Sequence, residues 1–542
     1  MSCKHGDFWY PIEIADNGTI IQGHNTFYME GMKYDFTIRD FPPELWEWKE
    51  FDPNKCVFGH GGKTGIITIN SESPGAPLEV YEDTLVHVTV VNRLMGGVAP
   101  TVHFHGFRFD QGYYWYDGVA GITQCSIGVG ESFTYSFIAS ETGTHWYHSH
   151  ASGVKMDGLM GSIIVHPKEN KRSKHTPLNW PLDSAPPNVF LISDYITEKM
   201  HGAGSPVKVS SSFYSNQGSA EVNNSPQRRW FTEDGTEVTG NVVDEIFING
   251  RTASIDSPVP LEEFDLSIRN EAHFICGSSE YGVEIELDSH FMILNELDAY
   301  PVKPTRARRI FLQPGETARV SFELIKSGRD TGDRSSFLLR ATLAGKYRGW
   351  DEKVARKKTE RQLESFALLH FEKTKSSVKE TELNWCPDNN IMNNPYLKDD
   401  HRYVRIQGDT ELLKSSDYYP SPQDDVYKVH LNANFGYGPS FNGKNFIFPS
   451  VPYSTSGNPS IVPCDGEGRC THIVSIPMGS IVEMTITGYT HRSLYNAYHP
   501  IHLHGNEMYV IGYGEGHVDP FTNNMHPNGS NPAFRCSPGT IM

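Results

Sequence analysis

Short stretches in which apolar and polar residues alternate dominate this chain. Thr84 to Asn92 reads Thr-Leu-Val-His-Val-Thr-Val-Val-Asn, and Ser132 to Phe137 reads Ser-Phe-Thr-Tyr-Ser-Phe. Together with Val80-Tyr81 and Ser162 to Val165, these segments are rich in β-branched and aromatic residues, which suit a pleated, half-buried strand. Gly and Pro interrupt them at short intervals, as at Gly128-Val129-Gly130, and such interruptions mark turns. Long helical patterns are scarce. The pattern predicts a mostly β protein made of sandwiches or barrels.

Two polar stretches break the strand pattern and predict linkers: one from about Pro167 to Asn188, rich in Lys, Ser and Pro, and one from about Glu372 to Asp400. The mixed-charge segment Asp351 to Arg361 reads as a solvated face or loop rather than a binding site. At 542 residues the chain exceeds one ordinary domain, and about 150 residues per domain suggests three or four.

Charge and cysteine content narrow the class. The formal net charge of −18 argues against a nucleic-acid or anionic-membrane partner, since an acidic surface repels polyanions. No apolar run reaches the roughly 18 residues of a spanning helix, so no transmembrane segment is expected. The opening Met1-Ser2-Cys3-Lys4-His5-Gly6-Asp7 lacks the apolar core of a signal peptide, which predicts a cytosolic chain or one that begins after its signal. Cys464 and Cys470 flank a Gly-rich acidic loop and are spaced to close it as a disulfide. Three acceptor sequons, at Asn17, Asn223 and Asn528, add weak support for a glycosylated, secreted protein. None of the eight cysteines forms the Cys-x-x-Cys pair of a zinc site.

The candidate chemistry lies in three histidine clusters: His103-Phe104-His105-Gly106, His148-Ser149-His150, and His499-Pro500-Ile501-His502-Leu503-His504-Gly505. Residues i and i+2 of a strand share a face and stand roughly 6.5 Å apart. Two imidazoles at that spacing do not easily close on one ion at about 2 Å, but each can bind a different member of a cluster whose ions lie about 4 Å apart. Three such pairs from distant parts of the chain predict a polynuclear metal site, with copper well suited to imidazole. A zinc hydrolase could also use His-x-His pairs but gives no reason for a third cluster.

With these clusters in place the chain resembles the multicopper oxidases, and within them the laccases of the animal type. His103 to Gly106 is similar to the family's first motif and is followed by Tyr116-Asp117-Gly118 and Thr123-Gln124-Cys125. Gly143-Thr144-His145-Trp146-Tyr147-His148-Ser149-His150, continuing into Asp157 to Gly161, is similar to the second, and His499 to Gly505 to the third. The likeness extends to Asp244 to Arg251. It implies three cupredoxin-like Greek-key β-sandwich domains, at 1–168, 175–385 and 400–542, with a trinuclear copper cluster between the first and third. By that likeness His103 and His502 bind the type 2 copper, His105, His148, His150 and His504 the type 3 pair, and His499 the type 1 copper. His145 is expected to be structural. Asp117 is the candidate proton-handling carboxylate, because reduction of dioxygen to water consumes protons. Cys125 resembles a disulfide cysteine whose partner in related oxidases lies near the C-terminus.

The implied function is a laccase-type oxidation of small phenols or diamines coupled to reduction of dioxygen, in a protein that is extracellular when complete. A ferroxidase of the same fold and a non-catalytic copper-binding protein are the competing readings. One departure matters. The family's fourth motif, built around His-Cys-His, is absent: Cys536 is followed by Ser537-Pro538-Gly539, and the last histidine is His526. A blue-copper site needs a His₂Cys set, so the type 1 site is incomplete in this sequence. The expectation is a C-terminally truncated third domain and a fragment that does not turn over.

Overall fold

The computed structural model describes chiefly residues 66–168, 187–195, 243–325, 335–371, 426–453, 469–489 and 500–508, with gaps inside several ranges, and short strands elsewhere. The linker segments expected from about Pro167 to Asn188 and Glu372 to Asp400 fall almost wholly outside the described residues, as does much of Asp351 to Arg361. Within the last, Lys358–Arg361 is a strand paired with Lys346–Trp350 rather than a loop. Among the described residues helix is confined to a 3-10 turn at Tyr114–Tyr116. The mostly β architecture expected from the alternation is the one observed, and it matches cupredoxin-like β-sandwich domains.

The N-terminal part folds as two facing sheets. One is ordered β1 (Thr26–Tyr28), β2 (Gly31–Phe41), β5 (Thr84–Asn92), β7 (Ser132–Ala139), with β3 (Ile66–Ile69) added to β2; the other is ordered β4 (Gly75–Tyr81), β9 (Met160–His166), β8 (Gly143–Ser149), β6 (Val102–His105). In β5 the alternation works as read. Val86, Val88 and Val90 are fully buried, and the polar positions between them are more open.

β8 and β9 behave differently, since every residue of both is buried. The reason is a layer on each face. Tyr147, Ile163 and Val165 pack into the core shared with Val86, Val88 and Phe137. Trp146, Met160 and Ile164 point the other way, into a cluster with Val189, Leu191 and Ile275 of the following part of the chain. Strands covered on both faces lose the polar alternation of a half-solvated sheet.

The middle part holds its own core, filled from Phe190 to Leu369 between two six-stranded sheets. The sheet nearer the N-terminal part is ordered β11 (Glu245–Ile248), β10 (Asn188–Tyr195), β13 (Glu271–Cys276), β18 (Thr317–Leu324), β15 (His290–Leu297), β16 (Tyr300–Ala307). The opposite sheet is ordered β12 (Glu262–Asp265), β20 (Glu364–His370), β19 (Ser336–Leu343), β14 (Val283–Leu287), β17 (Arg309–Leu312), β21 (Ile391–Met392). In the C-terminal part β22 (Val426–Asn434) pairs in parallel with β26 (Ile481–Tyr489), and the short strands β23 (Ser440–Phe441), β24 (Lys444–Phe446) and β25 (Arg469–Cys470) extend the sheet on the other side of β22.

Candidate metal centre

The register of β6 and β8 builds the first half of the site. His103 lies opposite His148, and His105 lies opposite Trp146. Because side chains alternate across a strand, these four residues share one face, while Phe104 and Tyr147 point into the hydrophobic core on the other and are fully buried there. The His-Phe-His and Trp-Tyr-His spellings thus divide each strand between metal face and core. Trp146 fills the space between the pairs, with its ring 5.2 Å from His105 and 4.2 Å from His148.

The segment 501–506 brings in the second half. The ring centroid of His103 stands 5.5 Å from His105, 5.4 Å from His148, 5.7 Å from His150, 5.6 Å from His502 and 4.1 Å from His504. His105 and His502 stack at 4.0 Å. Six histidines, four from between positions 103 and 150 and two from positions 502 and 504, are therefore gathered into one crowded group of imidazoles.

Hydrogen bonds set the orientation of several rings. His103 Nδ1 is 2.7 Å from the carbonyl oxygen of Asp117, His148 Nδ1 is 2.9 Å from that of Ser149, and His504 Nδ1 is 3.0 Å from Asp117 Oδ2. Each of these oxygens accepts, so each Nδ1 carries the proton and donates. Nε2 is left with its lone pair, the arrangement that fixes the tautomer of a metal-ligating histidine. His103 Nε2 lies 3.4 Å from His502 Nε2, close enough for both to reach a single ion at about 2 Å. His105 Nδ1 is buried without a hydrogen-bond partner. Among the described residues, His103, His105 and His502 bring one ligand atom each within 4.8 Å of one another, as do His103, Asp117 and His504.

Electrostatics favour the same state. Burial, followed by the neighbouring imidazoles, pushes His105 well below the ordinary histidine range; in His148 burial is followed by the Lys155 ammonium. His103 is also lowered, by burial and then by His504, against the opposing pull of Asp117. His150 and His502 lie on the open side of the group, yet desolvation among the packed rings, then the neighbouring His504, lowers each to about 3. At neutral pH these rings present lone pairs. Asp117 is the counterpart: burial raises its carboxyl, but hydrogen bonds from His103 and His504 outweigh that and hold it far below the usual carboxylate range.

Asp117 sits where the 3-10 turn Tyr114–Tyr116 ends. Gly118 follows at φ +83°, and a Cβ there would meet the Val102 carbonyl oxygen at 1.9 Å. Only glycine lets this turn lie against the start of β6. His145 has the opposite parity to His148. It stacks on Phe107 at 4.3 Å and its Nε2 donates to the Glu141 carbonyl at 2.9 Å, on the face turned away from the cluster.

His499, the expected type 1 ligand, lies outside the described residues. Cys125 is an exposed free thiol, not the disulfide cysteine that the resemblance implied; its partner in related oxidases has no counterpart bonded to it here. Cys470 is disulfide-bonded, while Cys464 lies outside the described residues. Three contributors escaped the sequence reading. Thr144 and Glu296 join the metal-bearing strand to the middle sheet, and Gly315 presses a turn of that sheet against His105, where a Cβ would stand 3.3 Å from Cε1.

Comparison with known proteins agrees with the geometry. Two family models, each described as multicopper oxidase, match residues 52–170 and 449–537. Laccase-1 of Cryptococcus neoformans var. grubii is 27% identical over 508 residues, covering 90% of this chain and 73% of that laccase. Multicopper oxidase MCE of Talaromyces pinophilus is 43% identical over 118 residues, 21% of this chain and 19% of its own. Among solved structures, that of Fet3p, described as a multicopper oxidase that functions in iron import, superposes with a TM-score of 0.60 at 17% identity over 94% of this chain and 82% of its own. This fold and this set of imidazoles define a copper-binding oxidoreductase. The chain belongs to the multicopper oxidase family.

Proposed function

We propose that this protein is a laccase-type oxidase whose six clustered histidines hold copper. His103 and His502 share the type 2 ion, and His105, His148, His150 and His504 hold the type 3 pair. The electron donor is a small phenol or diamine and the acceptor is dioxygen. The observation that carries this reading is the convergence of the imidazoles, three with Nδ1 donating to an oxygen and Nε2 left with its lone pair. The donor set fits copper: neutral nitrogen ligands, with a buried carboxylate beside them. Bound copper would supply one-electron redox chemistry and the reduction of dioxygen.

The chain's own residues do the rest. β6 and β8 fix the spacing of three ligands, His103, His105 and His148, with His150 just beyond the end of β8; Phe104 and Tyr147 lock those strands into the core, and Trp146 excludes water between His105 and His148. Asp117 orients two imidazoles at once. Its Oδ1 is buried and stands 3.2 Å from His103 Nδ1, which places the carboxylate to relay a proton at that atom.

His499 as a type 1 ligand, domain limits at 1–168, 175–385 and 400–542, and an extracellular location belong to the same proposal. Copper content and electron paramagnetic resonance of the copper-loaded chain test it. Copper should be retained by the parent chain and by His145→Ala, and largely lost in His103→Ala and His148→Ala. Equal copper in all four would sink the assignment.

A further inference from the structure

The middle part of the chain carries no His-x-His pair, yet its side chains take hold of the strand that bears His148. Glu296 on β15, Arg319 on β18 and His273 on β13 form a row across the sheet, with Glu296 paired to Arg319 and Arg319 to His273. A bulge between Leu294 and Glu296 shifts the register so that Glu296 leaves the core face occupied by Met292 and Leu294. A bulge re-aims a side chain in this way, and here the target is Thr144 of β8.

All the polar groups of Thr144 are bonded to that sheet. Its amide donates to Glu296 Oε1 at 2.8 Å, and its hydroxyl donates to the same oxygen at 3.0 Å while accepting from His273 Nδ1 at 2.7 Å. Its carbonyl accepts from the Thr317 hydroxyl at 2.9 Å. Arg319 Nε donates to Glu296 Oε2 at 2.9 Å, and the other arm of the guanidinium pairs with Glu271. Gly143 makes the approach possible, since a Cβ there would lie 2.7 Å from Glu296 Oε1.

The place of this contact matters. β6 ends at His105, opposite Trp146, so among the described residues the edge of β8 at Thr144 has no strand beside it on that side. Glu296 and Thr317 fill the gap with side-chain acceptors and donors. A strand is stiff, and Thr144 shares its face with Trp146 and His148, about 13 Å away at 3.3 Å per residue.

We propose that Glu296, braced by Arg319, is a positioning residue for the histidine cluster. By clamping Thr144 it fixes the register and twist of β8, and with them the placement of Trp146, His148 and His150. The metal-free middle part is thereby a working part of the metal centre. The consequence for copper rests on the reading given under Proposed function; the clamp itself does not.

The test uses the full 542-residue chain and the variants Glu296→Gln, Thr144→Val and Thr144→Ser. In the metal-free protein, amide hydrogen exchange of the peptide covering β8 is compared with that of β7, which lies in the other sheet. Copper(II) affinity is then measured by competition titration. Glu296→Gln and Thr144→Val should quicken exchange in β8 by about tenfold with β7 unchanged, and weaken copper by about 10–100-fold, the usual cost of losing a partner that orients ligands. Thr144→Ser keeps the hydroxyl and should match the parent in both. The proposal is overturned if both variants stay within twofold of the parent in β8 exchange, or if β7 and β8 quicken together, which would mark a general loss of stability. His148→Ala separates the two claims: unchanged copper affinity in that variant defeats the copper assignment, while the exchange result still judges the clamp.

Discussion

At the residue scale the site is a problem of keeping imidazoles neutral and aimed. Asp117 addresses both through one turn, its carbonyl holding His103 and its carboxylate holding His504. Asp117→Asn keeps the shape and the carbonyl contact but removes the charge. Copper affinity should fall by about tenfold, and by up to 100-fold in Asp117→Ala, where the turn also loosens; equilibrium dialysis against copper would measure both. Acid stability follows from the same burial. His145 is held at about 4 by desolvation, against about 6.5 in an unfolded chain. Its folded pKa is depressed, so between those values the unfolded state binds more protons and stability falls as pH drops. The contribution is fully present above 6.5 and about 2 kcal/mol smaller at pH 5. The lowered cluster histidines act in the same direction in the metal-free chain. Melts at pH 7 and pH 5 should show the loss, and His145→Gln should reduce its slope by one proton; a flat profile for the parent would contradict the assignment of buried, neutral rings.

Individual elements were legible where parity was undisturbed. The alternation in Thr84 to Asn92 gave a strand with those limits, and the spelling His-Phe-His placed two histidines on one face. The same rule puts Glu296 in the core beside Met292 and Leu294, which would leave a buried carboxylate without a partner. A bulge reverses its face, and nothing local in Leu-Asn-Glu-Leu announces it, because the bulge is fixed by pairing with strands on either side. Buried strands were harder to read for a related reason: β8 and β9 are covered by a second layer, which a single stretch of sequence cannot report. Turn chemistry, by contrast, is local. Gly118 at φ +83° abuts Val102, and Gly118→Ala should destabilise the protein by more than the roughly 1 kcal/mol of an ordinary glycine effect, since the backbone of β6 must move. Chemical denaturation should show a lower midpoint together with weaker copper binding; an unchanged midpoint would mean the turn can relax without disturbing β6.

For the whole molecule, the decisive question is whether electrons can reach the cluster, and the cysteines decide it. A type 1 copper needs a thiolate with two imidazoles. Among the described residues, Cys276 is fully buried in the middle core with its thiol pushed up to about 12 by burial, Cys470 is disulfide-bonded and Cys125 is an exposed thiol. None of them stands among the clustered histidines, and none of the eight cysteines lies between two histidines in the sequence. On the proposed reading six imidazoles hold copper, and among the described residues no thiolate stands with them, so the metal should bind without the intense blue colour of a copper–thiolate site. For the same reason the 542-residue chain, loaded with copper, should not couple oxidation of a phenol to oxygen uptake. Absorption spectroscopy and an oxygen electrode give the two readouts. Oxygen consumption with a phenolic substrate that vanishes in His103→Ala or His502→Ala would show that electrons enter the cluster by another path, and the requirement for the thiolate would fall.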